Sequence, residues 1–339
     1  MHPIVSIRQA AEQEGSFYTP KGRLTFVTAH KAAGGIAEAY LNVGYQNGEE
    51  RVIPVVVRLP RPDADALALR LYQRGTQTLA RLKGTEEIVE LIEHGHDKEG
   101  TPYQIVRKER ANLQTLLEML ATEHKQLPRC YVLGYLYSLC NAIQAVHDSG
   151  RLCLDLTLTN MVVARKERHQ IKLSDPDLWA SSAEVQEDTR LFRLNDSAAL
   201  KPEDRYALRR NSNFRGMRIP ETISPPEVIW NDSFSHASDI FSAGIIAYAL
   251  LATDPSPSVV LHDPNRLGFF DRVEELQHDP QYEMIRKATH PEPHQRFRSA
   301  IDMKEALFDC ELRYYCKNLT SSLQQPSMSP PAARLPASH

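Results

Sequence analysis

Residues 151–177 read RLCLDLTLTNMVVARKERHQIKLSDPD, and the polar side chains of this stretch decide the fold assignment. Asp155 is followed five residues later by Asn160 and then by a short apolar run, and Asp175 comes fifteen residues after Asn160. Carboxylate and amide oxygens are ligands that suit Mg²⁺, so the three side chains are candidates for a magnesium site. An Asp and an Asn at this spacing are also common in turns, so the flanking elements must decide.

The elements on both sides of this stretch follow a definite order. A hairpin rich in small residues begins at Val27, a β-branched strand covers 52–60, and apolar residues recur at helical spacing over 67–82. An amphipathic helical pattern over 130–150 then leads directly into the Asp155 loop. The order is therefore strands and one helix first, followed by a mainly helical second half.

This order resembles the protein kinase family, whose H-R-D-L-x-x-x-N loop supplies a catalytic Asp and a metal-binding Asn, and whose D-F-G Asp chelates magnesium. The resemblance covers roughly residues 20–312, assigns Asp155 as catalytic, and assigns Asn160 and Asp175 as metal ligands. It implies ATP and Mg²⁺ as cofactors and an α+β, bilobal protein-kinase-like fold with a β-rich N-lobe and an α-helical C-lobe. The predicted divisions are an N-terminal extension (1–20), the N-lobe (21–107), the C-lobe (108–318) and a disordered Ser/Pro-rich tail (319–339).

The second half resembles the family most closely. Val106 stands at the gatekeeper position and Lys108 lies in the hinge, so both are expected to line the nucleotide site. Asp239, in a helix F signature, is expected to cap the catalytic loop, and Glu227 of the A-P-E-like motif is expected to pair with Arg296. The C-lobe scaffold is therefore predicted to fold in the usual way.

The Gly-rich hairpin departs from the family pattern. Gly34 matches one of the three family glycines, whereas Ala32 and Ala37 stand at the other two. Gly34 and the adjacent Gly35 are the residues expected at the nucleotide. The two alanines add methyl groups where backbone amides approach phosphate, which predicts a looser grip on the nucleotide.

Several charge-handling positions are also changed. Arg58 stands where the family has the strand 3 Lys, and Gly75 stands at the place of the helix C Glu with which that Lys pairs. Arg58 keeps the charge and remains the predicted catalytic and cofactor-binding cation, although its planar fork differs from a compact ammonium. Lys31, just before the Gly-rich turn, is an alternative source of positive charge. Thr157 replaces the catalytic-loop Lys.

The magnesium motif and the segment after it differ as well. Asp177 replaces the family's Gly and places a second carboxylate near Asp175, which either enriches the metal site or alters the motion of the motif. Leu154 replaces the Arg that meets a phosphorylated activation loop, so activation by that route is not expected. The polar connection 178–223 is long enough to be functional or mobile.

Composition restricts the class of protein. The chain has 339 residues, 42% of them hydrophobic, and a net charge of −3, so it can bury a two-lobed core and shows no basic surface for nucleic acid. Its apolar runs are too short for a bilayer span, and its five cysteines lack metal-ligand spacing. These features predict a cytoplasmic protein with reduced thiols and a protein partner or substrate.

Three functions remain open at this point. The favoured one is a pseudokinase, or strongly degenerate Ser/Thr kinase, that binds Mg-ATP and regulates a partner protein. The second is an active, divergent Ser/Thr kinase with Asp155 as the base and Arg58 or Lys31 as the cation. The third is a kinase-fold enzyme with other ATP chemistry, such as AMP transfer.

Overall fold

The computed structural model describes residues 6–33, 36–48, 51–195, 224–231, 233–254, 273–274 and 277–324. These residues form the α+β, bilobal fold that the sequence predicts. An antiparallel sheet with two helices makes the N-lobe, and packed helices with a small two-stranded sheet make the C-lobe.

Six strands form the N-lobe sheet, and all neighbouring strands are antiparallel. The strands are β1 Ser16–Tyr18, β2 Arg23–Ala33, β3 Ala37–Gln46, β4 Ile53–Pro60, β5 Leu91–His96 and β6 Pro102–Arg107. Their spatial order is β1-β2-β3-β4-β6-β5. Side chains alternate across a strand, so Val55, Val57 and Leu59 are buried in the sheet core while Arg58 points to the other face, towards the cleft.

The first helix, α1 Ile7–Glu12, packs on this sheet. Ile7 and Ala10 are fully buried in the N-lobe core, and the Ile7 N–H donates to the Asp97 carboxylate at 3.3 Å. Arg8 donates to Glu38 at 2.7 Å. Within the predicted N-terminal extension (1–20), α1 therefore packs on the sheet and β1 is the edge strand of that sheet.

The helix between β4 and β5, α2 Ala66–Arg81, begins at Asp65, whose side chain accepts a hydrogen bond from the Ala68 N–H at 2.7 Å. Its buried face carries Leu71 and Tyr72, which pack against Leu178 of the C-lobe. This face brings α2 against the turn that follows Asp175.

The C-lobe consists of packed helices and one two-stranded sheet. Its elements are α3 Leu113–Thr122, α4 Arg129–Asp148, β7 Met161–Val163, β8 Ile171–Leu173, α5 Ser182–Asn195, α6 Pro226–Asn231, α7 His236–Ala252, α8 Tyr282–Ala288 and α9 Ala300–Gln324. Residues 238–250 of α7 are all buried, and the inner faces of α4, α8 and α9 complete the core around them. Helix α9 continues past residue 318, and the rest of the predicted tail, 325–339, lies outside the described residues.

Glu227 and Arg296 form the predicted buried ion pair. The two terminal nitrogens of Arg296 contact the two Glu227 oxygens at 2.6 and 2.9 Å, and Arg296 also donates to three backbone carbonyls. This two-pronged geometry ties α6 to the start of α7 and to the loop before α9. In the part of the chain that the structure describes, no helix combines the length and apolar composition needed to cross a membrane.

Candidate functional site

The loop that carries Asp155 is held by Asp239 of α7, as the sequence predicts. Asp239 accepts hydrogen bonds from the Cys153 N–H at 2.8 Å and the Leu154 N–H at 3.0 Å, and His147 Nε2 lies 2.8 Å from the same carboxylate. Leu154 has a φ of 58°, in the left-handed region that residues other than glycine seldom adopt. The buried carboxylate therefore stabilises a strained turn that presents Asp155 to the cleft.

Asp155 and Asn160 are in direct contact. The Asn160 side-chain amide donates to Asp155 Oδ2 at 2.7 Å and to the Asp155 carbonyl at 3.1 Å. Burial, together with the nearby charge of Asp175, raises the pKa of the Asp155 carboxyl to about 7, although the Asn160 hydrogen bond acts in the opposite direction. The site therefore contains a carboxyl group that changes its charge near neutral pH.

Asp175 completes the predicted group of three. The chain leaves β8 through Ser174, whose N–H donates to the Asn160 carbonyl at 2.8 Å, and Asp175 then adopts a left-handed conformation with φ 59° and ψ 64°. Its side chain is 43% exposed, so the carboxylate opens towards the cleft. The structure thus brings together Asp155, Asn160 and Asp175, and their oxygen donors suit Mg²⁺.

Arg58 lies at the back of the same cleft, and its two terminal nitrogens donate four hydrogen bonds. Nη1 donates to Gln104 Oε1 at 2.7 Å and to Asp177 Oδ1 at 3.3 Å, and Nη2 donates to Asp177 Oδ2 at 2.7 Å and to Asp175. Burial lowers the pKa of Arg58, but the charges of Asp175 and Asp177 outweigh it and raise the pKa overall. Arg58 is therefore a charged group held between two acidic residues.

The two glycines of the predicted Gly-rich turn, Gly34 and Gly35, lie outside the described residues. Lys31 forms an ion pair with Glu38 at 2.5 Å, and Arg8 contacts the same buried carboxylate. In the structure Lys31 therefore contacts the hairpin's own Glu38.

The model of the protein kinase domain matches residues 34–310. The chain belongs to the protein kinase family. A bovine relative, eukaryotic translation initiation factor 2-alpha kinase 3, is 26% identical over 234 residues, which cover 68% of this chain. The chain spans only 19% of that kinase's length.

In the structure the carboxylate contacts of Arg58 come from Asp175 and Asp177. The family pairs its strand 3 cation with a Glu of helix C, and the sequence pattern predicts Gly75 of α2 at that place. A Cβ atom on Gly75 would lie 3.0 Å from Asp177 Cα, Asp177 Oδ1 and the carbonyl carbon of Pro176. The turn after Asp175 therefore occupies the space beside Gly75, and Asp177 supplies the carboxylate. Burial raises the pKa of Asp177 to about 6, with Arg58 opposing and Asp175 reinforcing the shift.

The first part of the kinase activation segment is helical. The sequence pattern indicated a long polar connection over 178–223, but α5 covers its first part, and 196–223 lie outside the described residues. Ser181 and Glu184 form a capping box, with the Ser181 N–H on the Glu184 carboxylate at 2.8 Å and the Glu184 N–H on the Ser181 hydroxyl at 3.3 Å. This S-x-x-E signal could have identified the helix start.

Helix α5 is joined to α2 by a buried acidic residue. Asp188 contacts Arg74 at 2.6 Å and also Arg70, and its side chain is almost completely buried. Glu184 pairs with Arg151 of the C-lobe at 2.7 Å. Helix α5, the described part of this segment, therefore contacts both lobes through the ion pairs of Glu184 and Asp188.

Strand β6, which leads into the predicted hinge, lies next to β4 and Arg58 in the sheet. Val106 of β6 lies opposite Val56 in the strand register, and Gln104 lies opposite Arg58 and contacts its guanidinium. Lys108 donates to the Asn42 side chain at 3.1 Å at an exposed position. The β6 side chain beside Arg58 is thus Gln104, which sequence reasoning missed. The two-residue alternation of β6 would have placed it on the face of Val106.

A buried cluster of His147, Cys153 and Asp239 places three metal-capable atoms within 4.8 Å of one another. Both Asp239 oxygens already accept hydrogen bonds, and burial, reinforced by Asp239, raises the pKa of the Cys153 thiol well above its usual range. A protonated thiol is a poor metal ligand. Asp239 in this cluster therefore caps the loop that carries Asp155.

Proposed function

We propose that the chain is a pseudokinase, a protein kinase domain in which transfer of phosphate is lost or strongly reduced and which acts by binding and regulating a protein partner. One observation carries the proposal. The terminal nitrogens of Arg58 have four N–H groups, and four acceptors from Gln104, Asp175 and Asp177 surround them. A guanidinium held in this way has no terminal donor left to grip the phosphates of ATP.

The donor set around Asp175 fits a magnesium ion in its chemistry. Asn160 and Asp175 would hold Mg²⁺, which neutralises charge on the phosphates when bound. Arg58 competes with the ion, because it contacts the same Asp175 carboxylate. We therefore expect magnesium nucleotide to bind weakly, and only when Asp175 exchanges Arg58 for the metal.

An active Ser/Thr kinase is the second candidate, and the state of Asp155 favours it. A general base works best when its pKa lies near the operating pH, and the pKa of Asp155 is raised to about 7. Asp155 would accept the proton of a substrate hydroxyl, with Asn160 fixing the orientation of its carboxylate. If this candidate is correct, Arg58 would affect the phosphates only indirectly, by holding the carboxylates of Asp175 and Asp177 in place.

The first experiment measures the thermal midpoint with and without ATP and Mg²⁺, with EDTA and Asp175→Ala as controls. A ligand that binds the folded state alone raises the midpoint by mass action. The proposal predicts a small rise at millimolar nucleotide that is lost with EDTA and in the variant. A large rise at micromolar nucleotide would show a competent phosphate grip and count against it.

The second experiment separates the two candidates by chemistry. ATP labelled at the γ-phosphate is incubated with the protein and one of two substrates. One is a general protein substrate, and the other is the alpha subunit of translation initiation factor 2, from which the bovine relative takes its name. A pseudokinase gives the same signal as Asp155→Asn, whereas an active kinase gives a signal that Asp155→Asn abolishes. Label transferred from α-labelled ATP would instead indicate AMP transfer.

The partner in this proposal is a protein. The net charge of −3 does not favour nucleic acid, and we place the protein in the cytoplasm. Helix α9 supports a protein contact, because Phe308, Leu312 and Tyr315 recur at one-turn spacing and are each more than half exposed.

A further inference from the structure

Arg58 is a buried cation and therefore needs a carboxylate partner. Arg58 is 8% exposed, and removing a guanidinium from water is costly unless an acidic group and further hydrogen bonds compensate it. Helix α2 lies beside it and has the sequence ALALRLYQRGTQTLAR, which contains neither Asp nor Glu. The helix that usually supplies the counter-charge therefore cannot supply it in this chain.

The polar side chains of α2 nearest the cleft contact groups other than the Arg58 guanidinium. Two of its three arginines, Arg70 and Arg74, pair with Asp188 of α5, and its Tyr72 hydroxyl donates to the Arg58 carbonyl at 2.7 Å. The side of α2 that faces the Arg58 guanidinium region presents Thr76, which accepts a hydrogen bond from Gln104 at 2.7 Å. All these contacts leave the guanidinium of Arg58 to acceptors outside α2.

We propose that Asp177 is the positioning residue for Arg58, and that Gly75 is the complementary change that admits Asp177 to this place. The inference goes beyond the proposed function and holds whether or not the chain transfers phosphate. It assigns a role to the carboxylate at the third position of the Asp175-Pro176-Asp177 motif.

The geometry of the pair supports this assignment. Asp177 Oδ1 and Oδ2 face Nη1 and Nη2 of Arg58 at 3.3 and 2.7 Å, so the contact is a parallel fork of two hydrogen bonds. Forked contacts fix the orientation of the guanidinium as well as its place. Both side chains are less than one-tenth exposed, whereas the Asp175 side chain is 43% exposed and contacts only Nη2.

The space for Asp177 depends on position 75. With any side chain there, a Cβ would stand 3.0 Å from the backbone of Pro176 and Asp177 and from the Asp177 carboxylate. Such contacts would push the turn away from Arg58. The loss of a side chain from α2 and the gain of a carboxylate in the 175–177 turn therefore belong to one exchange.

The exchange moves the ionic link of Arg58 from helix α2 to the 175–177 turn. In the usual kinase arrangement the position of helix C controls the strand 3 cation. In this chain the position of Arg58 depends on the turn that carries Asp175, and α2 packs closely against that turn. The ionic attachment of α2 is to Asp188 in α5 instead.

The first test is a double-mutant cycle on unfolding by urea. Arg58→Met and Asp177→Asn are measured singly and together, and the exposed pair Arg107–Glu90, also in contact at 2.5 Å, provides a matched cycle with Arg107→Met and Glu90→Gln. We expect the buried pair to show a coupling of about tenfold or more in the unfolding constant, and the exposed pair less than about threefold. Equal couplings in the two cycles would overturn the proposal.

The second test reports position directly. In protein labelled with ¹⁵N-arginine, the Nε–H signal of Arg58 is identified by its loss in Arg58→Lys. We expect Asp177→Asn to shift and broaden this signal, and Gly75→Ala to shift it too, although Gly75 has no charge. Ala80→Gly, on the exposed side of α2, and Asp188→Asn, which removes the α2–α5 ion pairs, should leave it in place.

The two tests separate this proposal from a general loss of structure. A signal that moves as much in Asp188→Asn as in Asp177→Asn would show that Arg58 depends on α2, and would overturn the proposal. Loss of nucleotide binding does not enter either measurement, so failure of the pseudokinase proposal and failure of this one are distinguishable.

Discussion

Replacement of Asp155 by Asn should stabilise the protein, and should do so more at high pH than at low pH. The pKa of Asp155 is raised from its ordinary value of 3.8 to about 7, because folding buries the carboxyl and places it near Asp175. Asn has the same shape, and its side-chain oxygen can still accept the hydrogen bond from Asn160. The substitution therefore removes the ionisation with little change in packing.

The magnitude follows from linkage between proton binding and folding. A shift of about 3 pH units corresponds to roughly 4 kcal/mol at full effect, since each unit is worth about 1.4 kcal/mol. The Asp155 residue as a whole keeps some contact with solvent, so we discount this figure by about half for solvent screening and expect a gain of about 2 kcal/mol at pH 8.

The sign is set by the direction of the shift. A carboxyl whose pKa is raised by folding stabilises the fold fully when the pH is below 3.8, its pKa in the unfolded chain. This contribution is lost as the pH rises through about 7, its pKa in the folded protein. The free energy of unfolding of Asp155→Asn minus that of the unchanged protein should thus grow by about 1 to 2 kcal/mol between pH 5 and pH 8.

Urea unfolding at half-unit pH steps measures this difference. Asp63→Asn, at a side chain that is 44% exposed, is the matched control for the loss of a carboxylate at the surface. A stability difference for Asp155→Asn that is the same at pH 5 and pH 8 would refute the reasoning, because it would mean that folding does not perturb the Asp155 carboxyl.

Three further predictions concern packing and ion pairs, and urea unfolding checks the first two. Gly75→Ala should destabilise the protein despite the gain of about 1 kcal/mol in helix propensity, because its Cβ meets the 175–177 turn, whereas Ala80→Gly should cost only the propensity term. Arg296→Met should cost about 3 to 5 kcal/mol by leaving Glu227 buried without its partner, and adding Glu227→Gln should recover part of that loss. Asp188→Asn should make 182–195 cleave faster in limited proteolysis by releasing α5 from α2; unchanged cleavage would contradict the docking described for α5.

The fold and the scaffold contacts could be predicted from the sequence because they rest on ordered motifs. Asp239 caps the catalytic loop and Glu227 meets Arg296, as expected, because each sits in a motif whose neighbours fix its place. The pattern also shows that Gly75 cannot pair with Arg58. The sequence pattern does not show which carboxylate pairs with Arg58 instead. Asp177 lies 119 residues from Arg58 along the chain, and only the packing of the lobes brings these two side chains together.

Other parts of the site depended on contacts that no local pattern carries. The sequence allowed Lys31 to act at the phosphates, whereas the structure pairs it with Glu38, which lies across the β2–β3 hairpin. The helix α5 could have been inferred from its Ser181-x-x-Glu184 box, but the long polar stretch obscured it. The assignments of Asp155, Asn160 and Asp175 to catalysis and metal binding stay predictions, supported by their proximity.

The close approach of Gly75 to the 175–177 turn also restricts how this chain can have evolved. Restoring Glu at position 75 while Asp177 remains would force a side chain into the backbone of the turn, and restoring Gly at position 177 first would leave Arg58 with only the exposed Asp175 as a counter-charge. Each single reversal is therefore worse than either end state. Related sequences should therefore carry both changes or neither, and a return to the family residues at positions 75 and 177 requires both substitutions together.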